Sequence, residues 1–314
     1  MKKLLLTLLV TLQVFSFTVF FDAGGAAGDS YASVVSKGAS AAAKDLGIDL
    51  KIYHSDWDPN QMVINFQNAL AQNPDGIVIM GHPGDKLYAP LVKKALSQGV
   101  AVSSLDTKLP ETYKQNYSKG FGYVGTDNYL AGVAMANEVL KVFDLKENDE
   151  VFLWGLKSQP IRGLRAQAII EILEKAKIKV IYVEISPEVN KDPSLGQNIF
   201  QSVLLKNPKI KLAIIDHGAL TAALPKFMKN LKISPKDLIV AGFSLSPATM
   251  QGIEDGYLAL VADGQPFVQG YLSVWQVYFA KKYGFSGFNI DTSGGFITKD
   301  NINFIKPLVK DGIR

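Results

Sequence analysis

The 314-residue sequence contains no cysteine, which excludes structural disulfides, cysteine-ligated zinc or iron–sulfur sites, a cysteine nucleophile and a cysteine-linked lipid anchor. It lacks any block of five or more lysines and arginines, so we do not expect nucleic acid as a partner. Its three histidines, His54, His82 and His217, show no close ligand spacing, and we expect no metal site. Beyond the first 16 residues, no apolar run reaches the about 18 residues of a membrane-spanning helix.

What the chain does contain is typical of a globular protein. Hydrophobic residues make up 47%, charged residues 20% and aromatic residues 10% of the sequence. This composition excludes a disordered, collagen-like or coiled-coil protein. At about 150 residues per domain, the length predicts two domains.

Residues 1–16 have the pattern of an export signal. Lys2 and Lys3 precede an apolar run over residues 4–10, and Val14 and Ser16 suit the last positions before a cleavage site. The alternative interpretation is a membrane-anchoring helix, for which the run is short. We therefore expect a signal peptide and a periplasmic protein that is neither lipid-anchored nor inserted in the membrane after cleavage.

Strand and helix patterns alternate along the rest of the chain. The first half is predicted to contain strands at 17–21, 48–53, 76–80 and 100–105 and helices at 31–46, 59–72 and 87–98. The second half is predicted to contain strands at 151–154, 179–184, 212–215 and 238–241 and helices at 163–176, 194–206 and 219–231. This alternation predicts parallel sheets with helices on both faces.

The two halves repeat one order of elements, and residues 71–82 resemble residues 205–217, so we interpret the chain as a duplication. The predicted fold class is α/β, with two similar doubly wound, Rossmann-like domains. Ligands of such sheets bind beyond the carboxyl ends of the strands, and pockets are common between domains. We therefore expect the functional residues just after each strand, facing a cleft.

Three candidate residues follow strands of the first half. Asp29 and Tyr31 come after a glycine-rich turn whose spacing does not fit a dinucleotide loop. Asp29 could accept ligand hydroxyls, cap the next helix, or do both. Tyr31 could stack on an apolar ring face. Asp106 ends an apolar strand, where its charge needs ligand hydroxyls or loop amides as partners.

The second half adds further candidates at strand ends. Trp154 could stack on a sugar or cyclitol ring, or simply belong to the core. Arg162 and Arg165 lie near a helix N-terminus, where cations are disfavoured. Arg165 could therefore have a ligand as its partner, or it could lie on a solvated face of the helix. His217 could exchange hydrogen bonds with a hydroxyl.

Two further segments contain candidate residues at strand ends whose roles remain open. His82 could face the cleft or only shape its turn. Asp263 and Gln265 follow a late strand and are expected to run into a crossing between the domains.

On these residues, the chain resembles the sugar-binding proteins of ABC transporters, in the ribose, xylose and galactose branch of the type 1 periplasmic binding proteins. The likeness rests on the segments DSY at 29–31, VSSLD at 102–106, GYVGTDN at 122–128, RAQA at 165–168 and GQPFVQGYL at 264–272. It implies an N-terminal lobe of residues 17–126 plus 265–288 and a C-terminal lobe of 127–264 plus 289–314. The implied hinge has several strands, with crossings at Thr126–Asp127 and Gly264–Gln265.

The resemblance also implies roles for the candidate residues. Asp29 and Asp106 would bind sugar hydroxyls, Tyr31 would stack on the ring, and Arg165 would bind ring or hydroxyl oxygens. His217 falls where ribose binders commonly carry asparagine.

Three departures from ribose binders argue against ribose itself. Thr107 replaces an arginine, Ser244 replaces an aspartate, and Gly264 replaces a ligand-binding glutamine, which leaves Asp263 or Gln265 as substitutes. Other monosaccharides, or a polyol such as inositol, are favoured instead.

These observations lead to one main functional hypothesis. The protein is expected to bind a monosaccharide or cyclitol between its lobes and deliver it to an ABC transporter permease, as a monomer without cofactor or catalytic residues. One alternative is a sugar-sensing partner of a chemotaxis or two-component receptor. A second alternative, a Rossmann-type sugar enzyme, lacks an intact cofactor fingerprint.

Overall fold

The computed structural model describes residues 17–293 and 295–314, and the predicted signal peptide, residues 1–16, lies outside the described residues. The first lobe begins with β1 (Thr18–Asp22), α1 (Ser30–Leu46), β2 (Asp49–Tyr53), α2 (Pro59–Leu70), β3 (Gly76–Met80), α3 (Asp85–Ser97), β4 (Ala101–Leu105), α4 (Pro110–Asn116) and β5 (Gly122–Gly125). In the described chain, no helix is both long and apolar enough to cross a membrane.

The second lobe repeats this alternation. It contains α5 (Asn128–Val142), β6 (Glu150–Gly155), α6 (Leu164–Lys175), β7 (Lys179–Glu184), α7 (Pro187–Lys191), α8 (Gln197–Lys206), β8 (Ile210–Ile215), α9 (Gly218–Asn230), β9 (Ile239–Phe243), α10 (Pro247–Glu254) and β10 (Leu260–Ala262). The chain then forms α11 (Pro266–Tyr283), β11 (Asn289–Asp291), β12 (Phe296–Ile297) and α12 (Ile302–Lys310).

The strands form two six-stranded sheets of matching order. The first sheet has the order β11-β5-β4-β3-β1-β2, and the second has the order β12-β10-β9-β8-β6-β7. The strands of each sheet run parallel, except that β12 is antiparallel to β10. The predicted α/β class with two doubly wound sheets is confirmed.

The sheets place one lobe boundary differently from the sequence prediction. Residues 289–314 were expected in the second lobe, but Asn289–Asp291 pairs with β5 as the edge strand of the first sheet. The chain therefore crosses between lobes a third time, after β11 and before β12. A three-residue strand with exposed ends carries too little pattern to be recognised in a sequence.

Each sheet is buried on both faces because alternate side chains point in opposite directions. In β1, Phe21 packs with α1 and α11, whereas Phe20 packs on the other face with Phe66 of α2 and Tyr88 of α3. The second sheet likewise carries two separate apolar clusters. Rigid sheets of this kind hold the loops at their carboxyl edges in fixed positions.

Two glycines allow α1 and α11 to pack unusually closely. A Cβ on Gly38 would lie 1.9 Å from the carbonyl oxygen of Phe267, and a Cβ on Gly270 would lie 2.0 Å from that of Val35. Neither position tolerates a side chain without separating the helices. This contact ties the late segment of the chain to the first lobe.

We expect Gly38→Ala to destabilise the protein by about 1–3 kcal/mol, because the added methyl group overpacks the α1–α11 contact. Urea unfolding would measure the change. Gly28→Ala is the control, since a Cβ there meets no atom within 4 Å. Equal stability of the two variants would contradict this interpretation of the contact.

Candidate functional site

A cavity of about 340 Å³ lies between the carboxyl edges of the two sheets. Its volume is in the range of small-molecule sites. Six predicted site residues line it, namely Asp29, Tyr31, Asp106, Arg165, His217 and Asp263. The expectation that strand ends converge on one cleft therefore holds for these residues, whereas Trp154 and Gln265 lie elsewhere.

An aromatic wall covers the first-lobe side of the cavity. The ring centroids of Tyr31 and Trp57 are 5.6 Å apart, and those of Trp57 and His82 are 5.4 Å apart. Trp57 was missed in the sequence, although it follows β2 and the strand-end rule applies to it. The wall presents apolar ring faces beside polar edges, as sugar sites require.

Asp29 caps α1, as one of its two interpretations expected, and also lines the cavity. One carboxylate oxygen accepts from the backbone N–H groups of Tyr31 at 2.8 Å and Ala32 at 2.9 Å. The other oxygen accepts from Trp57 Nε1 at 3.2 Å. The carboxylate thereby orients the indole of the aromatic wall.

The glycine-rich turn before α1 makes room for this arrangement. A Cβ on Gly25 would come within 2.9 Å of Trp57 Nε1 and 2.8 Å of the Asp29 carboxyl carbon. Gly24, at a φ of +81°, would place a Cβ 2.8 Å from the same indole. The turn is therefore built to admit an aromatic side chain.

Asp106 directly follows β4 and lines the cavity. The carboxylate accepts from Thr107 Oγ1 at 3.3 Å and lies 3.9 Å from His82 Nε2. Burial lowers the pKa of His82 to about 4, although the Asp106 charge opposes the shift. Neutral His82 faces the cavity, and the Asp106 carboxylate keeps acceptor capacity for ligand hydroxyls.

A buried ion-pair network forms the second-lobe side. The carboxylate of Asp216 accepts two 3.0 Å hydrogen bonds from the guanidinium of Arg162 and a further one from Arg165 Nε. Burial alone would raise the pKa of Asp216, but the two guanidiniums outweigh it and the pKa is lowered. Because two cations share one anion, the network keeps a net positive charge toward the cavity.

The network also fixes Arg165 in the cavity lining. Its guanidinium lies 4.1 Å from the ring centroid of Phe243, which ends β9. The solvated-face interpretation of Arg165 is therefore wrong, since its side chain is only 13% exposed. Asp216 was missed as a partner because it is separated from both arginines by more than 50 positions.

His217 is the N-cap of α9. Its Nδ1 accepts from the backbone N–H of Leu220 at 3.2 Å, which assigns the proton of the neutral ring to Nε2. Burial, and then the charge of Arg162, lowers the pKa of His217 to about 3. The residue is thus a neutral donor in the cavity lining.

Trp154 is not part of the site. Its side chain is wholly buried, and its ring lies 5.8 Å from that of Phe152 in the core of the second lobe. Trp154 and Phe152 are two apart on one strand and share a face, so the alternation directs the indole into the core. The core interpretation is the correct one.

Gln265 belongs to the hinge. Its side chain donates to the backbone oxygen of Thr292 at 3.0 Å and does not line the cavity. Asp263 lines the cavity from the same crossing, where it accepts from Gln265 N at 2.9 Å and from Arg314 at 2.8 Å. The second and third crossings are therefore bonded to each other.

Several loop residues around the cleft have left-handed backbone conformations, which are costly for residues other than glycine. They are Asp56, Trp57, Asp106, Ile161, Ser244 and Gln265. For the β-branched Ile161, at a φ of +57°, this conformation is a marked outlier. Such strain is concentrated at functional sites, which agrees with the position of the cavity.

A sequence model of the family "Periplasmic binding protein domain" matches residues 23–283. The chain belongs to this family. Among curated proteins, it is 26% identical over 259 residues to the xylose/arabinose-binding protein XylF of Sulfolobus acidocaldarius, which covers 78% of this chain and 62% of that protein. It is 22% identical to a D-ribose/D-allose-binding protein of Pseudomonas aeruginosa, over 66% of this chain and 63% of that protein. The chain thus spans less than two thirds of these relatives.

Solved structures share the fold of this family member along nearly its whole length. A carbohydrate transporter from Acidothermus cellulolyticus in complex with myo-inositol has a TM-score of 0.80 at 20% identity, covering 95% of this chain and all of that one. A solute-binding protein from Burkholderia graminis in complex with D-arabinose has a TM-score of 0.79 at 22% identity, covering 91% and 96%. The two-lobed architecture is therefore that of the type 1 periplasmic binding proteins.

We expect Asp216→Asn to lower the free energy of unfolding by about 3 kcal/mol or more, because two buried guanidiniums lose their shared anion. Urea unfolding would measure the loss. The control is Asp144→Asn, whose carboxylate is 84% exposed and should change stability by no more than about 0.5 kcal/mol. A loss as small as that of the control would contradict a structural role for the network.

The low pKa of His82 predicts a pH dependence of stability. A histidine in the unfolded chain has a pKa of about 6.5. Below that pH the unfolded chain therefore binds a proton that buried His82 does not bind in the folded protein. The free energy of unfolding should fall by up to about 1.4 kcal/mol per pH unit from this residue as the pH drops from 6.5 to about 4. His82→Gln should flatten the urea-derived stability profile over this range, and an unchanged slope would contradict a neutral buried His82.

Proposed function

We propose that this protein is an extracytoplasmic solute-binding protein that captures a monosaccharide or cyclitol and presents it to an ABC importer. The observation that carries the proposal is the cavity between two lobes, in which carboxylates, neutral histidines and a fixed guanidinium surround aromatic rings. The export pattern of residues 1–16 and the family's periplasmic character support a location outside the cytoplasm.

The charges of the cavity favour an uncharged ligand. The cavity lining includes the carboxylates of Asp29, Asp106 and Asp263. The two arginines in the lining share the buried carboxylate of Asp216. Because both arginines of the described lining are already paired with a carboxylate, they offer an anionic ligand no unpaired cation. Hydroxyl groups, in contrast, can donate to the carboxylates and accept from Arg165 and His217.

The aromatic groups favour a ligand with a ring. Tyr31 and Trp57 line one side, and Phe243, covered by Arg165, lines the other. Aromatic faces pack well against the apolar C–H faces of sugars and cyclitols. Relatives whose names or structures include xylose, arabinose, ribose or myo-inositol support this ligand class.

Ligand capture would proceed by closure of the lobes about the hinge. Contacts across the mouth belong to a closed arrangement: Lys191 Nζ lies 3.6 Å from Asp56, and Pro160 lies beside Gly84. A ligand that bonds to Asp106 on one lobe and Arg165 on the other favours this arrangement. The closed surface would then be the form that a permease recognises, and a monomer suffices for this cycle.

The proposal predicts specific binding of neutral sugars or cyclitols. Isothermal titration with D-xylose, arabinose, D-glucose, D-galactose and myo-inositol should identify at least one ligand. Asp106→Asn should weaken its binding by about 10- to 100-fold, because hydrogen bonds to a charged acceptor are lost. Asp144→Asn is the control, since this carboxylate is 84% exposed and does not line the cavity. Binding of none of these compounds, or equal effects of the two variants, would contradict the proposal.

A further inference from the structure

A second groove, of about 850 Å³, adjoins the cavity on the outer side of the cleft. Both lobes contribute to it, through residues 55–61 of the first and residues 156–159 and 184–191 of the second. Four residues line the groove and the cavity alike, namely Trp57, Leu156, Gln159 and Asn190. The two spaces therefore meet at a shared boundary and can be occupied by one continuous ligand.

The groove persists although the lobes are in contact. The Lys191–Asp56 ion pair spans the lobes at its edge, and Pro160 already approaches Gly84. A channel used only for ligand entry would be expected to close when the lobes come into contact. The groove is instead a space that remains beside the enclosed cavity.

An unsatisfied polar atom lies at the shared boundary. Gln159 Oε1 is buried and has no hydrogen-bond partner among the described residues. A buried carbonyl oxygen without a donor is costly. If the Gln159 side chain turns toward the boundary that it lines, a ligand hydroxyl there would supply the donor that this oxygen lacks.

The groove combines hydrogen-bonded acidic side chains with neutral amides. Its acids are engaged: Asp56 with Lys191, Asp58 with the backbone N–H of Asn60, and Glu184 with Ser158. Amide side chains such as Asn60 and Asn190 remain on its walls, beside the indole of Trp57. Neutral hydrogen-bonding groups next to an aromatic ring again suit a sugar.

We propose that the cleft binds a disaccharide or glycoside, with one ring in the inner cavity and a second ring in the groove. This inference rests on the proposed function and extends its ligand from one ring to two. Trp57 would contact both rings from its position at the boundary. Gln159 would accept a hydroxyl close to the linkage.

The test compares sugars of different length on the intact protein. Isothermal titration would use D-xylose, D-glucose and D-galactose against xylobiose, cellobiose, maltose, lactose and the corresponding methyl glycosides. We expect at least one disaccharide to bind about tenfold or more tightly than its component monosaccharides. Binding of monosaccharides with no binding of any disaccharide would overturn the inference and leave the proposed function intact.

A groove-filling variant locates the second ring. Asn60→Trp, on the first turn of α2, should weaken binding of the disaccharide by about tenfold or more while monosaccharide affinity stays within about twofold. Asn68→Trp, on the exposed side of the same helix and outside the groove, is the matched control and should change neither affinity. Thermal unfolding of both variants checks that they fold.

The remaining outcomes are decisive as well. If Asn60→Trp folds and leaves disaccharide binding unchanged, the second ring is not in the groove and the inference is wrong. If no neutral sugar of either length binds, the proposed function fails and the inference fails with it.

Discussion

The second lobe's half of the site depends on one buried carboxylate. Asp216 is wholly buried, and only its bonds to Arg162 and Arg165 make the burial of three charged groups tolerable. In return, it fixes two long side chains that would otherwise sample many rotamers. Arg165 is thereby held over the ring of Phe243 as a preorganised cation in the cavity lining.

The two lobes bring complementary groups to this arrangement. The first lobe supplies Asp29, Asp106 and the aromatic wall, and the second supplies the guanidinium pair with its net positive charge. Opposite charges therefore face each other across the cavity. Tyr31 links this space to the hinge, since its hydroxyl donates to Gln269, which donates in turn to Thr292 and to the oxygen of Gly264.

Much of this arrangement could be predicted from the sequence, because strand ends in doubly wound sheets converge on one edge. That rule placed Asp29 and Asp106 correctly, but it does not say to which face a strand's last side chain points, and Trp154 failed for that reason. Asp216 was not recognised as the partner of Arg162 and Arg165 because it lies far from them in the sequence. A left-handed turn directs Gln265 into the hinge, and backbone conformation of this kind has no reliable sequence signal outside glycine.

The edge strand Asn289–Asp291 and the helix Pro266–Tyr283 have a consequence for how the polypeptide acquires its native form. Both complete the first lobe, yet both are among the last parts to be synthesised. The amino-terminal half therefore cannot finish folding ahead of the carboxyl-terminal half while the chain is still being made. Completion of the first lobe therefore waits until nearly the whole polypeptide has been made.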